Sequence, residues 1–160
     1  MEWVQIILPP LLVLIGGVVG WVIKSRTEEL RAVEERLRGE RRRIYGEILD
    51  PYIELFANLK QEDEGRASIE EKIISKDYRK AIWELGLLGS DEVVRAYNGM
   101  MQYFFNLGSN GKQDIRVTVR LWGKLRLEIR KSLGNKNTKL DELDMLRGEI
   151  IDIDKFLDKS

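Results

Sequence analysis

The sequence predicts an all-α protein: a single N-terminal transmembrane helix, then an amphipathic juxtamembrane helix, then a cytoplasmic helical bundle. Two observations carry that expectation. Residues 3–23 form a stretch of 21 residues without a charge, and about 20 apolar residues in a helix span a bilayer core of ~30 Å. Beyond it, apolar residues recur at spacings of three and four through most of the chain, with capping and turn residues between the periodic runs. The expected organisation is an anchor over 1–23, a helical stalk over 24–44 and a bundle over 45–160.

The anchor is read from its flanks as much as from its oil. Glu2 stands where a signal peptide would carry basic residues, and no small-residue cleavage site follows before the charges begin. Trp3 and Trp21 lie near the two ends, where indole rings favour the headgroup region, and Lys24, Arg26 and Arg31 follow at once. The positive-inside rule then predicts an inner (cytoplasmic) membrane protein with its N-terminus outside and its C-terminal domain in the cytoplasm. Pro9 and Pro10 are expected to bend the span. Gly16 and Gly20 make a GxxxG pair that would let two such helices approach closely.

The stalk continues with Leu30, Val33, Leu37 and Ile44, a narrow apolar seam of about two heptads that could extend a self-associating contact as a short coiled coil. From Tyr45 the stripe widens through Ile48, Leu49, Tyr52, Leu55, Phe56 and Leu59, so the helix should enter the bundle here. Pro51 lies inside this pattern and predicts a bend, or a restart with Asp50 as N-cap. A second bundle helix is expected to begin at Ser68, with Glu71 completing a capping box. It should bury Ile69, Ile73, Ala81, Ile82, Leu85 and Leu88 and end near Gly86 or Gly89. A third should be capped by Ser90 or Asp91, carry Val94, Tyr97, Met101, Phe104 and Leu107 inward, and stop at the turn-rich "GSNGK".

Residues 115–131 admit two readings. Apolar residues alternate around Trp122, Gly123 and Lys124, as they would in a β-hairpin, which would make the fold α+β. The same stretch puts Ile115, Val119, Trp122, Leu125, Ile129 and Leu133 on one helical face ending at Gly134. Helical neighbours favour the helix, because a lone hairpin is only marginally stable. Thr138 with Asp141 should then cap a last amphipathic helix through Leu143, Leu146, Ile150, Ile153 and Leu157.

Composition narrows the chemistry. The 160 residues include no cysteine and no histidine, which removes disulfides, thiolate nucleophiles, most zinc sites and the usual neutral-pH proton shuttle. Lysines and arginines number 27, as do aspartates and glutamates, so no net field draws in nucleic acid and none is expected as a partner. "GSNGKQ" lacks the spacing and the Ser or Thr of a phosphate loop. Asp141 and Asp144 could meet a divalent ion only weakly. No cofactor, metal or catalytic residue is expected. An enzyme working with carboxylates, Tyr45 or Arg43 would instead gather those groups in a pocket.

Charge is uneven along the chain. Residues 112–139 hold nine basic and two acidic side chains, whereas 140–160 hold three basic and seven acidic. The two segments could neutralise each other on the bundle surface. Alternatively Arg116, Arg120, Lys124, Arg126, Arg130 and Lys131 form a basic face toward anionic lipid.

The N-terminal span, "ERRRIYGEIL", "LLGSDEVVRAYN" and "IRKSLGNKNTKL" together resemble small single-pass membrane proteins of bacteria and phages. The resemblance implies helical segments and carries over no functional residues. The functional expectation is a membrane-anchored scaffold or accessory protein without catalysis, acting as a homo-oligomer or through another membrane protein. A module using 112–139 on membrane lipid, or a membrane-active phage or toxin-like protein, are the alternatives.

Overall fold

The computed structural model describes residues 2–57, 71–110, 114–151 and 153–156, with side chains described over 16–53, 71–107, 114–151 and 153–154. It is all-α, with no strand among the described residues. Four α-helices run in order: α1 (Glu2–Ala57), α2 (Lys76–Leu88), α3 (Asp91–Asn110) and α4 (Ile115–Ser132), followed by turns and a 3-10 segment, Ile153–Phe156. The chain forms two compact units, residues 1–39 and 40–160.

Among the described residues no helix is long and apolar enough to cross a membrane. The side chains of residues 1–15, which make up most of the expected span, lie outside the described set.

The core of the second unit draws on every element. Ile44, Tyr45, Ile48 and Tyr52 of α1 meet Tyr78, Ala81 and Leu85 of α2, Val93, Ala96, Tyr97 and Met100 of α3, and Val119, Trp122, Leu125 and Ile129 of α4. Ile44, the last seam residue of the expected stalk, is fully buried in this core. The helix does not restart at Pro51 but continues to Ala57. An interior proline costs a helix about 3 kcal/mol, and burial of the stripe on both sides of Pro51 offsets that cost.

The start of the second bundle helix differs from the expectation. Residues 71–74 make a helical turn that breaks at Ser75, whose hydroxyl accepts from the Tyr78 N–H at 3.2 Å and caps α2. Ser68 lies outside the described residues. α2 ends at Gly89, while Gly86 remains helical and exposed. Gly89 has an extended backbone, so its role is not a left-handed cap; a Cβ there would press on the Leu85 carbonyl and side chain. α3 continues through Asn110, into the segment read as a loop.

Residues 115–132 form one helix, so the hairpin alternative is overturned. Asp114 caps it by accepting from the Arg116 N–H at 2.9 Å. Val119, Trp122, Leu125 and Ile129 are buried as a helical face, with Ile115 at its edge exposed. Gly123 is a packing residue rather than a turn: a Cβ there would collide with the backbone of Glu142. The helix closes at Gly134, whose φ of 121° is left-handed. The Gly134 N–H donates to Lys131 O and the Asn135 N–H to Arg130 O, the paired bonds of a Schellman motif.

The expected last α-helix is instead a series of turns, with Leu146 and Glu149 N–H groups donating three residues back. Leu143, Leu146 and Ile153 are nevertheless buried as expected, and Leu157 lies outside the described residues. The cap is at Asp141, not Thr138. The Asp141 carboxylate accepts from the Leu143 and Asp144 N–H groups, and Asp144 accepts from the Asp141 N–H, a reciprocal capping arrangement.

Candidate functional site

Most of the residues expected to mediate self-association stand open among the described residues of the first unit. A Cβ built on Gly16 or Gly20 meets no atom within 4 Å. Leu30 and Val33 are 69% and 62% exposed, and Leu37 is half-buried. Apolar side chains at three- and four-residue spacing on a helix make one stripe, so Leu30, Val33 and Leu37 form a seam that is open at Leu30 and Val33 and half-buried at Leu37.

The basic segment divides into two parts. Its second half is engaged within the bundle: Arg126 donates to Glu149 at 2.6 Å, Lys131 to Glu128 at 2.8 Å, and Arg130 to the Thr138 hydroxyl at 3.3 Å. Its first half, Arg116, Arg120 and Lys124, stands exposed at four-residue intervals along α4. The partner of Arg126 is 23 positions away and acidic, the pairing that mutual neutralisation anticipates.

Among the described residues Tyr45 and Arg43 engage different partners. The Tyr45 hydroxyl receives the Ser90 N–H at 3.1 Å and bonds the Ser132 hydroxyl at 2.9 Å, tying α1 to the α2–α3 junction and to the end of α4. One turn earlier, Arg41 donates to the Leu88 carbonyl at 2.6 Å, placing a cation at the α2 C-terminus where the helix dipole favours it. Arg43 faces outward, and its donors are taken up by Glu40, Glu47 and Glu84. The hydrogen bond from Arg43 holds the Glu84 carboxyl below its ordinary range.

Among the described residues, cavities open beside this framework. One of about 340 Å³ is lined by Ser90, Glu92, Glu128, Lys131, Ser132 and Lys136. Another, of about 350 Å³, is an apolar groove between Leu49, Tyr52, Ile53 and Trp122, with the Arg126–Glu149 pair at its rim. Tyr52 meets Trp122 edge to face at 4.3 Å between ring centroids. Among the described residues no three metal-ligating side chains come together.

Behind the groove lies a tyrosine cluster that composition alone did not reveal. The Tyr78 and Tyr97 hydroxyls are 3.3 Å apart, and the Tyr52 hydroxyl donates to the Met101 sulfur at 3.6 Å. Burial pushes Tyr97 up to about 12 and raises Tyr52 and Tyr78 as well. A folded-state value above the unfolded 10 means that the contribution is complete below pH 10 and is lost as pH rises toward 12. Stability should therefore hold from neutral pH to about 10 and then fall by about 1.4 kcal/mol per pH unit for each such tyrosine. Denaturant midpoints measured against pH check this, and Tyr97→Phe should make the alkaline fall shallower.

The chain matches no protein-family model, no curated protein and no solved structure. One surface was missed from sequence: Trp83 and Leu87 are each 75% exposed on α2. The available signal was that Trp83 falls opposite Ala81 and Leu85 on the helical wheel, outside the buried stripe.

Proposed function

We propose that this protein is a membrane-anchored scaffold that self-associates through its N-terminal segment and presents a helical bundle to other proteins. The observation that carries the reading is the seam of Leu30, Val33 and Leu37, open at its first two residues, on the same helix as the open Gly16 and Gly20 positions. Supporting it are the 21 uncharged residues from Trp3 to Ile23 and the cations that follow. The two contacts act in series, because holding the spans together raises the effective concentration of the stalks and lets a marginal seam pair. On this reading residues 1–23 cross the inner membrane once and the bundle lies in the cytoplasm.

Two measurements test it. A fluorescent protein fused after Ser160 should be bright and an alkaline phosphatase there inactive; the reverse pattern would place the bundle outside. Gly16→Ile with Gly20→Ile should weaken association about tenfold, the equivalent of ~1–2 kcal/mol across a span interface. Neither substitution meets a neighbouring atom, so the loss would report the contact between chains. Arg126→Ala with Lys131→Ala should leave association nearly intact. If the isoleucine chain associates as well as the parent, the span is only a tether.

A further inference from the structure

We infer that the outer face of α2 is a second membrane contact, a docking surface for anionic lipid headgroups. Trp83 and Leu87 are a full helical turn apart and each 75% exposed. At 100° per residue, Lys76, Arg79, Lys80, Gly86 and Leu87 all fall within about 60° of Trp83. All six are exposed, and the face carries three cations and no carboxylate. Glu84 lies at its margin and is drawn toward Arg43, with Lys80 reaching it at 3.7 Å. Among the described residues neither Lys76 nor Arg79 forms an ion pair.

The chemistry of this face matches a lipid surface better than a protein. Two apolar side chains cannot supply the roughly 800 Å² that a stable protein interface buries on each partner, and the cores of such interfaces are depleted in lysine. An indole ring, by contrast, settles at the headgroup level, and lysine and arginine beside it meet anionic phosphates. Lysine and arginine stems also lie along apolar surface while their charges stay in water, which suits a helix resting in the interface plane. The proposal rests on the anchoring reading only in that a tether keeps the face near a bilayer; the charge and exposure of α2 do not depend on it.

The chain has no cysteine, so one introduced thiol can be labelled uniquely. Gly86→Cys sits in the face without replacing Trp83 or Leu87, and its side chain has open space. Gly99→Cys, exposed on α3 with equal room, is the control. Each full-length chain carries an environment-sensitive nitrobenzoxadiazole label and is reconstituted into phosphatidylcholine vesicles with or without phosphatidylglycerol. The expected result is brighter, blue-shifted emission at position 86 only with phosphatidylglycerol, lost at high salt, with no change at position 99. Lys76→Glu with Arg79→Glu should abolish the rise, and so should Trp83→Ala with Leu87→Ala. Arg116→Glu, Arg120→Glu and Lys124→Glu together should leave it in place.

Several outcomes would overturn the proposal: no rise at position 86, an equal rise at position 99, or loss only in the α4 triple variant. A rise in phosphatidylcholine alone that scales with protein density would mean that a second copy covers the face, and would overturn it too. Alkaline carbonate extraction reads the anchor separately. A chain that resists extraction but shows no rise at position 86 keeps the anchor and loses the α2 contact. A chain that is extracted yet lights up on anionic vesicles does the opposite.

Discussion

Gly123→Ala should destabilise the bundle by about 1–3 kcal/mol, although alanine is the better helix former by about 1 kcal/mol. The reason is the contact with the C-terminal turns: a Cβ at position 123 would collide with the Glu142 carbonyl carbon and oxygen. Backbone cannot swing aside as a side-chain end can. Residues 141–150 would have to lift from α4, withdrawing Leu143 and Leu146 from the core and parting Arg126 from Glu149. Urea denaturation of the full chain in mild detergent, followed by near-ultraviolet dichroism, measures the shift. A midpoint at or above that of the parent would mean that Glu142 does not pack on α4.

Trp122→Ala should cost about 3–5 kcal/mol, the range for truncating a buried large aromatic. Trp122 is 6% exposed, packs edge to face on Tyr52 and forms one wall of the apolar groove. The size of the effect also separates the two readings of this segment. In a hairpin Trp122 would sit at the turn and its loss would be mild, near ~0.5 kcal/mol; in α4 its loss opens a cavity where α1 and α4 meet. The same urea titration distinguishes them.

These two neighbours show where sequence reasoning succeeds and where it stops. The helical face through Val119, Trp122, Leu125 and Ile129 was legible from its spacing, and so was the stop at Gly134. The competing hairpin arose because Ile115, Val117, Leu121 and Leu127 also alternate, and Gly123 reads as a breaker when its partner, Glu142, is unknown. α3 was found with its register displaced: Val93, Ala96 and Met100 are buried, whereas Val94, Met101 and Phe104 are only partly so. Tyr97 is buried as expected, and the difference lies in adjacent identical residues, Val93 beside Val94 and Met100 beside Met101, which composition alone cannot rank. At the C-terminus, Leu143, Leu146 and Ile150 sit at spacings that serve tight turns as well as an α-helix. Of the candidate surfaces, the Arg116–Arg120–Lys124 stripe follows from four-residue spacing, while the bond from Arg126 to Glu149 crosses 23 positions that no local pattern spans.

The bond between the Tyr45 and Ser132 hydroxyls closes a loop of 87 residues. On the ribosome, the apolar stripe from Ile44 to Tyr52 leaves the exit tunnel long before α4 exists to cover it. At ordinary synthesis rates of about 5–20 residues per second, that stripe waits roughly 4–16 s for residue 132. A chaperone has time to bind during that interval, and two nascent chains on one message have time to find each other. The order of manufacture thus gives Tyr45 a role before the fold is complete: it belongs to the first surface the newborn bundle shows and is among the last to be sealed.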